Sequence, residues 1–154
     1  MDFNKLTADC LYYFVSRAYL ASTSLLKKEL IANGAGEVKP AYLGVLMILW
    51  EQDGLQASEL GKKVGLEPSS MTGMIDRMER DKLIIRRSDP HDRRALRIHL
   101  TVEGENAQKP VMKVVDETLT SVYDGISEEQ IEMTQNVLKS LIENIWIKKN
   151  ESIG

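Results

Sequence analysis

Cysteine is nearly absent from this sequence of 154 residues, with Cys10 its single example. One thiol excludes an intrachain disulfide framework and fits a reducing compartment. Histidine is scarce too: only His91 and His99 occur. No cluster at metal-ligand spacing, nucleophile–base pair or phosphate-binding glycine loop accompanies them, so an enzyme, a metal and other cofactors are not expected. The longest apolar run, around Leu43–Trp50, is far too short to span a bilayer. Met1–Asp9 has neither the basic start nor the apolar stretch of a signal peptide. These absences predict a cytoplasmic protein with no membrane partner.

What is present suits an ordinary soluble protein, with 43% hydrophobic and 28% charged residues, enough to build a core. The length suits one domain, alone or with extended helical arms. The total charge of −3 looks wrong for a nucleic-acid binder, but its distribution is uneven. Ten basic and six acidic residues lie between Lys62 and Arg97, a net +4 that leaves −7 for the remainder. A basic middle between acidic ends is a local footprint for a polyanion, although a plain solvated surface would also carry such charges. No aromatic side chain interleaves the basic stretch, so RNA bases have no stacking platform there.

The periodicity predicts a mainly α fold with a small β-hairpin. Thr7 to about Ile31 reads as one long helix, with Leu11, Phe14, Val15, Ala18, Leu25 and Leu26 at helical spacing. A second helix starts near Pro40 and carries Leu43, Leu46, Met47 and Trp50 on one face. A short helix over about Ser58–Val64 stops at Gly65, and Pro68 opens another whose buried stripe is Met71, Ile75 and Met78. Two short helices around a glycine turn make a helix-turn-helix candidate, a weak signal by itself.

The next segment strengthens it. Leu83–Arg87 is β-prone, Asp89-Pro90-His91-Asp92 is a turn, and Leu96, Ile98 and Leu100 alternate with Arg97 and His99. A helix-turn-helix followed by a hairpin with a basic tip is a winged helix. The last third is helical and acidic, with Pro110 delaying or bending one helix and Ser127-x-x-Gln130 opening the final one as a capping box. Its stripes, Val111–Val122 and Ile131–Trp146, exceed what a small winged-helix core can cover. A partner subunit would cover them, as would an intramolecular helical domain. The resulting division is 1–36, 37–104 and 105–154.

The stretch from Leu55 to Glu105 resembles the DNA-binding lobe of MarR-family regulators. Its most specific part is Asp92-x-Arg94, followed by Leu100-Thr101 and Gly104. The helical ends match the family's dimerisation elements in order and length, so the resemblance covers nearly the whole chain. It implies a winged helix-turn-helix homodimer on double-stranded DNA, with 1–36 and 105–154 as dimerisation helices. The departures are Asp81-Lys82, where the family commonly has a glycine, Glu67 at the N-cap of the second motif helix, and Pro110.

On this reading Ser69, Ser70, Thr72, Gly73, Asp76 and Arg77 face outward on that helix, where hydroxyls reach phosphates or base edges. Arg77 is the best candidate for a bidentate guanine contact, with a surface ion pair to a nearby acid as its plainer role. On the wing, the resemblance makes Arg94 the residue inserted into the minor groove, beside Arg93, with Asp92 orienting its neighbourhood. Arg86 and Arg87 are expected at phosphates or simply in solvent. Such a dimer predicts a pseudo-palindromic site.

Regulators of this family commonly respond to a small aromatic ligand or an oxidant. Cys10 near the start of the first helix, with Tyr42, resembles the organic-hydroperoxide-sensing branch. The second tyrosine position is Lys39, which leaves that constellation incomplete. A buried cysteine serving as a small hydrophobe is the plainer role of Cys10. A winged-helix protein-interaction module without DNA binding is the rival class, though it would need neither Asp92-x-Arg94 nor the basic patch.

Overall fold

The computed structural model describes residues 10–90, 92 and 95–151. Helix α1 runs from Leu11 to Ala32, uninterrupted by Gly or Pro. Asn33 closes it by donating its side-chain N–H to the Glu29 carbonyl at 2.8 Å. Pro40 opens a single 3-10 turn, Pro40–Tyr42, which leads directly into α2, Leu43–Glu51. The expected helix start therefore holds, with a tighter first turn because proline presets its φ and has no N–H to satisfy.

A two-residue strand, β1 (Leu55–Gln56), precedes α3 (Ala57–Val64). The Gln56 N–H donates to the Glu59 carboxylate at 2.7 Å, which satisfies one orphan donor of the first turn. Gly65 ends α3 at φ 76°, a left-handed conformation that costs other residues more, and Leu66 N–H then returns to the Gly61 carbonyl at 2.9 Å. Helix α4 follows from Pro68 to Arg80.

The wing is β2 (Ile84–Ser88) and β3 (Leu96–Leu100), paired antiparallel with Arg86 opposite Ile98. β1 pairs on the other edge of β3, Leu55 opposite Ile98, so the sheet has three strands in the order β1-β3-β2. The sequence predicts only the hairpin; a two-residue strand has no period to detect. Along β3, Ile98 and Leu100 are buried while Leu96 is half exposed, because the inward alternation fades toward the tip.

Thr101 caps α5 (Val102–Asn106) by accepting the Gly104 N–H at 3.0 Å. Helix α6, Gln108–Val122, begins after Ala107, and Pro110 sits in its first turn, so the proline delays the helix and does not break it. Helix α7 spans Glu128–Glu151. The capping box before it is reciprocal: Ser127 N–H donates to Gln130 at 3.0 Å and Gln130 N–H to the Ser127 hydroxyl at 3.2 Å.

The chain forms two compact units, residues 1–118 and 119–154. One core fills the first. Leu46, Leu49, Leu60, Met71, Ile75, Met78, Leu83, Ile84 and Ile98 are essentially inaccessible within it. It also takes in Leu30 of α1 and Val111 and Val114 of α6, beyond both ends of the 37–104 segment. Gly104 lies against the residue before β2 so closely that a Cβ there would stand 2.0 Å from the Leu83 carbonyl oxygen. No helix among the described residues is long and apolar enough to cross a membrane.

Candidate nucleic-acid interface

Helix α4 is held by one face. Met71, Met74, Ile75 and Met78 are buried, and Ser69, Ser70, Thr72, Asp76 and Arg77 are exposed on other sides, with Gly73 half-buried among them. The expected stripe thus gains Met74, and the expected outward set keeps its place. Thr72 donates its hydroxyl to the Pro68 carbonyl at 3.0 Å, leaving the oxygen as an acceptor. Among the described residues Arg77 enters no ion pair; its guanidinium extends back along the helix over Gly73, where an added Cβ would come 3.4 Å from Nη1. Arg80, four residues after Asp76 and three after Arg77, has its side chain 67% exposed and its Nε 3.4 Å from the Asp81 carboxylate.

Arg86 is not placed as expected. Period two puts it on the same face of β2 as buried Ile84, turned toward α4. There Nη1 donates to Glu79 and Nη2 to Asp76. The Arg86 backbone N–H donates to the other Glu79 carboxylate oxygen at 3.0 Å. Burial opposes its charge, but the hydrogen bonds to Asp76 and Glu79 outweigh that and raise its pKa above the ordinary value. Asp76, an expected member of the DNA-facing set, is thereby paired on its wing side.

Just beyond the end of β2, Asp89 is a buried carboxylate that accepts from Arg97 Nε at 2.5 Å. Arg97 Nη1 also donates to the Gly54 carbonyl at 2.8 Å, which ties the wing to the loop before β1. Asp53 in that loop accepts the Leu100 N–H at 2.8 Å and contacts His99 Nδ1 at 2.7 Å. Toward the tip, the Asp92 carbonyl accepts the Ala95 N–H at 3.0 Å. His91, Arg93 and Arg94 lie outside the described residues.

Comparison with known proteins places this geometry. The MarR family model matches residues 40–96. The uncharacterized HTH-type transcriptional regulator YsmB of Bacillus subtilis is 32% identical over 126 residues, covering 82% of this chain and 86% of that one. The chain belongs to the MarR family. Among solved structures of the same fold, CouR from Rhodococcus jostii RHA1 bound to p-coumaroyl-CoA is 26% identical, with a TM-score of 0.72 over 87% of this chain and 92% of that one. CouR bound to a 23-mer DNA duplex is 20% identical and superposes with a TM-score of 0.77 over 89% and 95%.

Within this MarR-family chain, the Asp81-Lys82 departure has a structural consequence. Asp81 is the C-cap of α4, and Lys82 takes the left-handed conformation at φ 61°, where glycine would be unstrained. The Asp81 carboxylate accepts from Lys39 Nζ at 2.5 Å and from the Tyr42 hydroxyl at 2.7 Å. These hydrogen bonds, Lys39 first and then Tyr42, lower the Asp81 pKa to about 2. Asp81 in turn raises that of Lys39, with help from Tyr42.

The two candidate sensor residues have separate settings. Cys10 is the half-buried N-cap residue of α1, and its carbonyl accepts the Phe14 N–H at 3.3 Å. Tyr42 is buried; its hydroxyl donates to Asp81 and accepts from Lys39 at 3.1 Å. The position expected to hold a second tyrosine thus carries a lysine bonded to the first.

Proposed function

We propose that the protein is a sequence-specific transcriptional regulator of the cytoplasm, a repressor that binds a pseudo-palindromic DNA operator as a homodimer. One observation carries this reading: α4 is anchored by a methionine-rich stripe and presents Ser69, Ser70, Thr72, Gly73, Asp76 and Arg77 outward beside a wing. Hydroxyls and an arginine on a helix that fits the major groove can contact phosphates and base edges. Arg93 and Arg94, which follow Asp92 in the sequence, supply the minor-groove contact. Membership of the family supports the assignment, and the 23-mer duplex bound by CouR is of a length that two half-sites need.

The homodimer reading is supported by apolar side chains that the single chain leaves exposed. Leu11, Phe14 and Leu20 on α1 are more than half exposed, and so are Met133, Ile142 and Ile147 on α7. Faces of this kind mark association surfaces. Segments 1–36 and 105–154 are the dimerisation elements. Release follows a small ligand, a class supported by the acyl-CoA bound to CouR, or an oxidant acting at Cys10. Either effector acts by binding one spacing of the two DNA-binding lobes better than the other.

Selection from a random duplex pool tests the proposal. Enrichment of a pseudo-palindrome with half-sites about one helical turn apart supports it. Failure to enrich any duplex, with Arg94→Ala behaving as wild type, moves the protein-interaction module to the front. Peroxide release that Cys10→Ser abolishes assigns the oxidant; unchanged binding assigns the ligand.

A further inference from the structure

We infer that Arg86 is a positioning residue: it clamps the first wing strand onto Asp76 and Glu79 of α4 and thereby sets the spacing between the recognition helix and the wing. Its effect on DNA rests on the function proposed above, whereas the clamp itself is present without DNA. Three bonds make it. Each terminal nitrogen of the guanidinium serves a different carboxylate, and the Arg86 backbone N–H goes to the second oxygen of Glu79. Glu79 therefore holds β2 through both main chain and side chain. The next residue, Arg87, is exposed on the opposite face of the strand, while the Arg86 side chain is only 26% exposed.

Electrostatics argue against a phosphate role for the same group. Moving the Arg86 guanidinium to a phosphate would leave Asp76 and Glu79 uncompensated on a surface facing a polyanion. That arrangement exchanges two attractive contacts for one and adds repulsion. A planar fork is also the side chain suited to bridging two carboxylates at fixed angles. Arg86 thus does two things at once: it neutralises the acidic side of the recognition helix and fixes where β2 lies against it.

Hydrogen exchange on the DNA-free protein, together with operator affinity, tests the clamp in Arg86→Met, Arg87→Met and the double variant Asp76→Asn/Glu79→Gln. Loss of charge-assisted hydrogen bonds predicts roughly tenfold faster exchange of the 84–88 amides in Arg86→Met and in the double variant, and none in Arg87→Met. Operator affinity should fall by about tenfold in Arg86→Met, and the double variant should gain none, because its acids are already neutralised. Wild-type exchange in Arg86→Met, or tighter binding by the double variant, would overturn the inference. Should Arg86→Met fail to fold, the near-isosteric double variant decides alone. A wild-type protein that binds no duplex refutes the function reading, and the exchange data then still judge the clamp.

Discussion

Tyr42 donates its hydroxyl to the Asp81 carboxylate at 2.7 Å, joining the turn that opens α2 to the C-cap residue of α4. The two are far apart in sequence, and the ring of Tyr42 is buried while the carboxylate is only partly covered. The contact fixes the C-terminal end of α4 on the scaffold.

Asp81 should therefore give stability a pH dependence of definite sign. Its pKa is about 2 in the folded chain against an ordinary 3.8. A carboxyl lowered on folding stabilises the fold above its unfolded pKa, and that contribution is lost as pH falls through the folded one. Thermal unfolding should show Asp81→Asn below wild type at neutral pH, with the gap closing between the ordinary 3.8 and about 2. A gap of constant size across that window would show that the ionised carboxylate is not responsible.

Lys82→Gly should stabilise the chain. Lys82 is the only non-glycine residue with positive φ among those described, at 61°. Its carbonyl accepts from the Thr101 hydroxyl at 2.6 Å, a backbone contact that glycine retains. Relief of left-handed strain offers about 1 kcal/mol, reduced somewhat by the greater freedom of glycine when unfolded. Urea denaturation with an unchanged m-value and a higher midpoint is the expected result; a lower midpoint would mean that the lysine side chain contributes more than its backbone costs.

Gly104→Ala should do the opposite. The added methyl would meet the Leu83 carbonyl oxygen at 2.0 Å, a contact with backbone that no rotamer can avoid. Overpacking of this kind costs about 1–3 kcal/mol or more, and here it would push α5 away from the Leu83 backbone. Denaturation should report a loss in that range, and an unperturbed midpoint would show that the Leu83 backbone shifts freely.

Gly73→Ala should separate stability from recognition. Replacing a helix-interior glycine favours α4 by about 0.5–1 kcal/mol. The new methyl meets only the mobile end of Arg77, so folding should tolerate it. It should nevertheless weaken operator binding, by displacing Arg77 and holding the helix off the groove. A variant both more stable and equally tight on DNA would remove Gly73 from the interface.

Much of this architecture was legible because it is written in local periods. The α4 stripe, the Ser127–Gln130 box and the inward side of β3 each follow from residues within a few positions of one another. The strand Leu55–Gln56 was not legible, since it exists through backbone pairing to β3. Nor were the Arg86 clamp and the Lys39–Tyr42–Asp81 cluster, whose partners meet only after the elements pack. For Arg86 the charge said polyanion, and the fold supplied two carboxylates first. The wing-tip arginines stand on the family motif.

The proposed function requires the outward face of α4 and the wing to bind operator DNA. Fluorescence anisotropy of a labelled operator across a salt series tests it most directly, for wild type, Arg77→Ala and Arg94→Ala. Log affinity should fall steeply and linearly with log salt, since neutralised phosphates release counterions. Arg94→Ala should weaken binding strongly, and Arg77→Ala should cost about 1–3 kcal/mol at its guanine. Binding too weak to titrate on operator and random duplex alike, or affinity indifferent to both arginines, would contradict the claim.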